Sequence, residues 1–209
     1  MATTAKVHVS WPAATDASGI DSYQLQKKKV TGAWATVTLS SPTATLADVT
    51  VTTGTKYQFR LRATDTSAKH NTSAWVTTTA SKLALVQENA TTFRYSGTWK
   101  STALAGSSGG YVKYAAKSGA SATLTFAGTS IGFVTDTGPA RGMVQVWLDG
   151  TNVATLDLYS ATAGKKRIVW SPATSLNAGT HTLELKVLDT KNAHATSTRV
   201  DLDALAVWG

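Results

Sequence analysis

The sequence predicts an all-β protein built as two antiparallel β-sandwiches in tandem, and three observations carry that expectation. Apolar residues recur at every second position through most of the chain, the signature of strands with one buried and one wet face. Clusters of Gly, Ser, Asn and Asp interrupt the alternation at strand-length intervals. The chain has 209 residues, 42% of them hydrophobic, which suits two cores of ordinary size better than one.

The first strand is expected over residues 5–11, AKVHVSW, with Val7, Val9 and Trp11 inward and Lys6, His8 and Ser10 outward. After the turn-rich PAATDASG, strands follow over Ile20–Val30, Ala33–Leu39, Ala44–Val49, Thr55–Thr64 and Ser73–Thr79. These six make a first sandwich over residues 1–80. Residues 79–83, TASKL, read as a short junction into a new strand, Ala84–Glu88, with no Gly/Pro-rich linker. The second domain is expected over residues 81–209.

Its organising stretch is residues 93–159. Leu124 and Phe126 alternate with Thr123 and Thr125, Ile131 and Phe133 follow a Gly-Thr-Ser turn, and Val144, Val146 and Leu148 continue the pattern. Asp149-Gly150 is a hairpin signal, because such a turn needs positive backbone angles, and Val153–Leu158 returns antiparallel. Strands over Lys166–Trp170, Thr180–Leu188 and Arg199–Val207 complete the domain, with Ala178-Gly179-Thr180-His181 turning into the penultimate one.

Both halves carry resemblances. VSWPAATDASGIDSYQLQ, GTKYQFRLRATD and SAWV resemble a fibronectin type III domain, which implies core roles for Trp11, Tyr23 and Tyr57. Two departures stand out: only Met1 to Ala5 precede the Trp-bearing strand, and SAKHNTS replaces a Gly-Asn turn. The first implies a trimmed or very short first strand, or one supplied by another chain. The strings YSGTW, SGASATLTFAGTSI, TGPARG, VWLDG, LDLYSAT, GTHTLELKV and VDLDALAV resemble a bacterial galactose-binding-like jelly-roll module over roughly the last 120 residues. That resemblance implies an accessory module of secreted or surface proteins that binds carbohydrate.

Composition narrows the function. A charged fraction of 15% with abundant Thr, Ser and Ala points to an extracellular, cell-surface or virion protein, and the absence of cysteine excludes disulfides and thiolate chemistry. The net charge of +8 attracts anionic polymers. Lys27-Lys28-Lys29 and Lys165-Lys166-Arg167 are the basic clusters, read either as solvated strand edges or as attractors of acidic glycans, without an aromatic platform for specific nucleic-acid binding. Apolar runs are too short to span a membrane as helices. Met1-Ala-Thr-Thr has no apolar signal core, which points to a segment of an exported protein or to a virion component.

No catalytic arrangement is expected. His8, His70, His181 and His194 lie on a strand face or at turns without a nucleophile elbow, and His181 reads as a turn cap. Asp201 and Asp203, two apart on one expected strand, read as solvated or loop-anchoring acids rather than a hydrolytic pair. A structural calcium ion held by loop carboxylates is the one cofactor considered, with no ligand run to name its residues. Glycan binding asks only for an aromatic plane with polar neighbours. Trp147 falls out of register with inward Val146 and Leu148, so it belongs on the outer sheet face, as platform or as interchain contact. Trp99 and Tyr159 belong near sandwich ends, and Asp136 and Arg141 flank the TDTGPARG loop within reach of a ligand. Trp170 and Trp208 are assigned to the core or a subunit contact.

The expected function is a non-catalytic extracellular module that binds carbohydrate or cell-surface polymer, with the first domain as spacer. The alternative is a structural subunit of a filament or virion, whose exposed aromatics are contacts in self-assembly.

Overall fold

The structure, a computed structural model, describes residues 4–209. Its strands are β1 (Thr4–Ser10), β2 (Ile20–Lys29), β3 (Ala35–Val37), β4 (Leu46–Thr52), β5 (Lys56–Asp65), β6 (Val76–Thr77), β7 (Ser81–Gln87), β8 (Phe93–Ser96) and β9 (Lys100–Ala103). They continue as β10 (Tyr111–Ala115), β11 (Ser121–Ala127), β12 (Ser130–Thr137), β13 (Met143–Leu148), β14 (Thr151–Asp157), β15 (Gly164–Trp170), β16 (Thr180–Val187), β17 (Val200–Leu202) and β18 (Ala204–Trp208). A single 3-10 turn, Ser108–Gly110, is the only helical element among the described residues, and the named strand pairs are antiparallel. The chain divides into two compact units, Met1–Leu83 and Ala84–Gly209.

In the first unit β1 pairs with β4, and β3, β2, β5 and β6 form a second sheet. Alternation buries Ala47, Val49 and Val51 of β4 with Tyr23, Leu25, Tyr57 and Phe59 of β2 and β5. The hydroxyl of Tyr57 accepts from Thr52 N (3.2 Å), and that of Tyr23 from Ala14 N (2.7 Å), so each buried phenol has a backbone partner. Trp11 meets Tyr23 edge-on at 5.8 Å between ring centroids. The SAKHNTS tip is organised by Asp65, whose carboxylate accepts from Ser67 N, Ser67 Oγ, Asn71 N and Asn71 Nδ2. Those donors, the Asn71 side chain foremost, hold its pKa below the ordinary value.

Two expected boundaries move. Ser81 and Lys82 pair with Tyr57 and Lys56 of β5, and Leu83 O accepts from Gly54 N, so the supposed junction is already strand and belongs to the first unit. The expected strand over 199–207 is two, β17 on β10 and β18 on β12. Of the segment before the Trp-bearing strand, Thr4 and Ala5 belong to β1, whereas Met1, Ala2 and Thr3 lie outside the described residues.

The second unit sets a five-stranded sheet, in the order β14-β13-β16-β11-β8, over strands of a second layer that includes β15, β12, β18, β17, β10 and β9. Between them lies one apolar cluster, with Leu124, Phe133, Val144, Leu183, Leu185 and Leu205 at its buried centre. Asp149 and Gly150 close the β13–β14 hairpin with φ of 49° and 80°, the two positive angles of a tight primed turn.

Candidate functional site

Alternation along β13, β16 and β11 decides which side chains leave the second core. Val144 and Val146 of β13, Leu183 and Leu185 of β16, and Ala122 and Leu124 of β11 are buried, which turns Gln145, Trp147, Glu184, Lys186, Ser121 and Thr123 to the outer face. Register then sets them side by side: Gln145 opposite Lys186, Trp147 opposite Glu184, Lys186 opposite Ser121 and Glu184 opposite Thr123. Trp147 is the one aromatic ring on this face among the described residues.

The indole is held by two neighbours. Its Nε1 donates to Gln145 Oε1 at 3.1 Å, and Lys186 Nζ lies 3.8 Å from the ring centroid. The same ammonium is 3.4 Å from Glu184 Oε2, so the cation over the ring is steered by a neighbouring carboxylate. Beside this group is a depression of about 380 Å³ whose lining includes Ser118, Ser121, Gln145, Glu184 and Lys186. A half-buried aromatic plane, an amide, a carboxylate, an ammonium and serine hydroxyls thus converge on a shallow polar surface. That is a set of donors and acceptors suited to hydroxyl groups beside one flat apolar surface. A strand bulge between Val146 and Trp147 shifts the register so that Trp147 faces Asn152 of β14.

The other expected site residues are elsewhere. Trp99 is half-buried, packs at a tilt against Tyr95 with 5.3 Å between ring centroids, and donates Nε1 to Ser96 O (3.1 Å) and Ser121 O (3.0 Å). Tyr159 is half-buried with its ring 6.0 Å from that of His194, away from the Trp147 group. Asp136 and Arg141 do not reach outward from their loop, which corrects that expectation. The Asp136 carboxylate is buried and takes Lys165 Nζ (2.8 Å) and Lys166 N (3.0 Å), and Arg141 Nη2 lies 2.7 Å from Asp201 Oδ2. Trp170 packs against the second core.

Asp201 and Asp203 are not solvated, a further correction: both are 0% exposed. Asp201 also pairs with Arg199 Nε at 2.5 Å, while Asp203 receives Ser108 N on both oxygens at 2.8 and 3.0 Å. Strand alternation missed this because Asp201 lies in β17 whereas Asp203 sits in the break before β18. Burial pushes the Asp203 carboxyl up to about 6; the neighbouring Asp136 and Glu88 carboxylates add to the rise, and Ser108 N and Lys166 oppose it. No group of three or more metal-ligating side chains exists among the described residues.

His181 does anchor its turn. Nε2 faces Asn177 O at 2.9 Å and Nδ1 faces Asp149 Oδ2 at 2.7 Å, tying the segment before β16 to the β13–β14 hairpin. With an oxygen acceptor at each ring nitrogen, the protonated imidazole is favoured, so the Asn177 carbonyl and then Asp149 raise the His181 pKa.

In the first unit, the basic run Lys27-Lys28-Lys29 has aromatic company that its own neighbourhood in sequence does not show. Lys28 Nζ lies 4.9 Å from the Trp34 ring, and Arg60 and Arg62 lie over Trp34 and Trp75. Sequence reasoning passed over Arg60 and Arg62; their signal was the period-2 spacing within QFRLRA.

No family model matches the chain, and no curated protein is significantly similar to it. Among solved structures, it is similar to a two-domain esterase active on acetylated mannans at 14% identity, covering 61% of this chain and 37% of that one, with a TM-score of 0.45. It is also similar to a Paenibacillus xanthan lyase at 14% identity, covering 99% of this chain and 19% of the lyase, with a TM-score of 0.47. An exo-beta-1,3-galactanase from Phanerochaete chrysosporium follows at 13% identity, with 93% and 52% covered and a TM-score of 0.40. The chain thus spans between 19% and 52% of the length of these three proteins. Similarity at this level does not carry a function across.

Proposed function

We propose that the chain is a non-catalytic, extracellular carbohydrate-binding module whose binding surface is the Trp147 face of the second unit. The observation that carries this reading is the placement of one indole on an otherwise polar sheet face, with Gln145, Glu184 and Lys186 around it and a shallow depression beside it. A sugar ring stacks its apolar face on the indole while Lys186 shifts from the ring to a hydroxyl, with Glu184 and Gln145 as further partners. The non-catalytic reading is supported by where the acids are: Asp136, Asp201 and Asp203 are enclosed and engaged by protein donors.

The test is a screen of neutral oligosaccharides followed by titration calorimetry on the parent, Trp147→Ala and Gln145→Ala chains. Trp147→Ala is expected to weaken binding at least about tenfold, the usual cost of losing an aromatic anchor, with an unchanged unfolding midpoint. Retained affinity in the folded variant, or no neutral glycan bound by the parent, would sink the proposal.

The second reading, a subunit of a surface assembly, is favoured by one observation: β1 pairs only with β4 among the described residues, and Leu46 at the end of β4 is 50% exposed. Light scattering across a wide concentration range decides it, because a constant mass near 21.9 kDa excludes self-assembly through that edge.

A further inference from the structure

The first unit carries a surface for which a spacer has no use. On the sheet of β3, β2, β5 and β6, alternation buries Tyr23, Leu25, Tyr57 and Phe59 and turns Gln24, Gln26, Lys28, Gln58, Arg60 and Arg62 to the opposite face. Register pairs Gln24 with Arg62, Gln26 with Arg60, and Lys28 with Gln58. Gln26 Oε1 accepts from Arg60 Nε (2.8 Å) and Nη2 (2.6 Å), and Gln24 Oε1 accepts from Arg62 Nε (2.8 Å).

Two indoles, from the segments that enter β3 and β6, complete the row. Arg60 lies between them, 4.4 Å from the Trp34 ring and 4.2 Å from that of Trp75; Lys28 flanks Trp34 at 4.9 Å and Arg62 flanks Trp75 at 4.5 Å. The order is cation, ring, cation, ring, cation. Beyond Lys28 a depression of about 280 Å³ is lined in part by Lys27, Lys28, Lys29 and Tyr57. Among the described residues, none of Lys28, Arg60 and Arg62 has a carboxylate within ion-pairing distance. Of the net charge of +8, residues 1–83 carry +5, nine Lys and Arg against four Asp.

Neutral partners therefore hold these cations in place without neutralising them. Ring stacking and the glutamine amides fix the guanidinium planes, and the Arg62 Nη pair keeps a planar fork with no protein acceptor among the described residues. That fork matches a carboxylate bidentately. We propose that this face binds an acidic, uronate-bearing polysaccharide laid along the row from Lys28 to Arg62, independently of the Trp147 site. One feature favours a polysaccharide over a nucleic acid: each indole here is flanked by two cations, Trp34 by Lys28 and Arg60 and Trp75 by Arg60 and Arg62, where Trp147 has one, so a base would have to displace two cations to stack.

The experiment is affinity electrophoresis of the full chain through gels containing polygalacturonate or neutral dextran, with an oligothymidylate as competitor. The parent is expected to be retarded by polygalacturonate and not by dextran. The double variant Arg60→Gln/Arg62→Gln is expected to weaken binding about tenfold or more, the scale of lost charge-assisted hydrogen bonds. The charge-matched Lys6→Gln/Lys69→Gln variant, altered at exposed positions off this face, is expected to change it little. Trp147→Ala is expected to bind polygalacturonate like the parent, which separates this surface from the neutral-glycan site. Circular dichroism checks the fold, and if the arginine variant unfolds, Lys28→Gln carries the test, with a several-fold loss expected. No retardation of the parent, an equal loss in the charge-matched control, or displacement by oligothymidylate more readily than by free polygalacturonate overturns the proposal.

Discussion

At the scale of single residues, the tryptophans show how little a side chain's identity says about its employment. Trp147, Trp99 and Trp34 share an indole, yet one lies under Lys186 on an outer face, one donates to two carbonyls beside the second core, and one stacks on Arg60. Trp99 acts as a structural clasp: its N–H is shared between Ser96 O and Ser121 O, joining β8 to β11 next to Gly97. Gly97 itself has φ of 73° with Ala120 Cα 2.9 Å from where a Cβ would stand, so the backbones can approach only because that residue is glycine. Trp99→Phe keeps an aromatic ring but removes the pyrrole half of the indole with its N–H donor. It is expected to cost about 1–2 kcal/mol in urea unfolding, from carbonyls left short of a partner, and to leave glycan affinity unchanged. A loss of affinity with intact stability would return Trp99 to the binding surface.

At the scale of elements, the break between β17 and β18 matters most. Asp203 N donates to Val134 O and its carboxylate gathers the backbone N–H of Ser108, so one residue ends a strand and pins the loop before β10. Because burial lifts its pKa to about 6, the folded chain retains a proton there that the unfolded chain releases at ordinary carboxylate pH. The sign follows: from about pH 4 to pH 6 the folded state binds more protons than the unfolded one, and this group's contribution to stability falls as pH rises. Asp203→Asn is expected to remove that slope. Between pH 4 and pH 7 the variant's unfolding free energy should shift relative to the parent by roughly 2 kcal/mol in the variant's favour. Urea titrations at four pH values measure it, and parallel curves would show that Asp203 ionises normally in the fold.

At the scale of the whole molecule, charge is unevenly divided, with +5 of the net +8 in residues 1–83. The two proposed binding surfaces differ in their physics. The Trp34–Arg60–Trp75–Arg62 face depends on unneutralised cations, whereas the Trp147 face carries its own Lys186–Glu184 pair. Raising salt from about 0.05 to about 0.5 M is therefore expected to abolish retardation by polygalacturonate while leaving affinity for a neutral oligosaccharide within about twofold. Parallel salt dependence in both assays would mean that one surface serves both ligands. No helix among the described residues is long and apolar enough to cross a membrane.

Period-2 alternation and turn chemistry are enough to read the all-β class, most strands and the Asp149-Gly150 hairpin, because these are local: they depend on residues within a few positions of one another. The same alternation turns Trp147 to the outer face. Partnership was not legible. Asp136 with Lys165, Arg141 with Asp201 and Asp203 with Ser108 are joined across 29 to 95 positions, and only strand order and register bring them together. The cationic ladder has the same origin, since Trp34 and Trp75 flank Arg60 only because β3 and β6 lie on either side of the β2–β5 pair. Sequence periodicity determined which way a side chain points; tertiary packing alone decided what it meets, since that depends on which strands are neighbours and in what register.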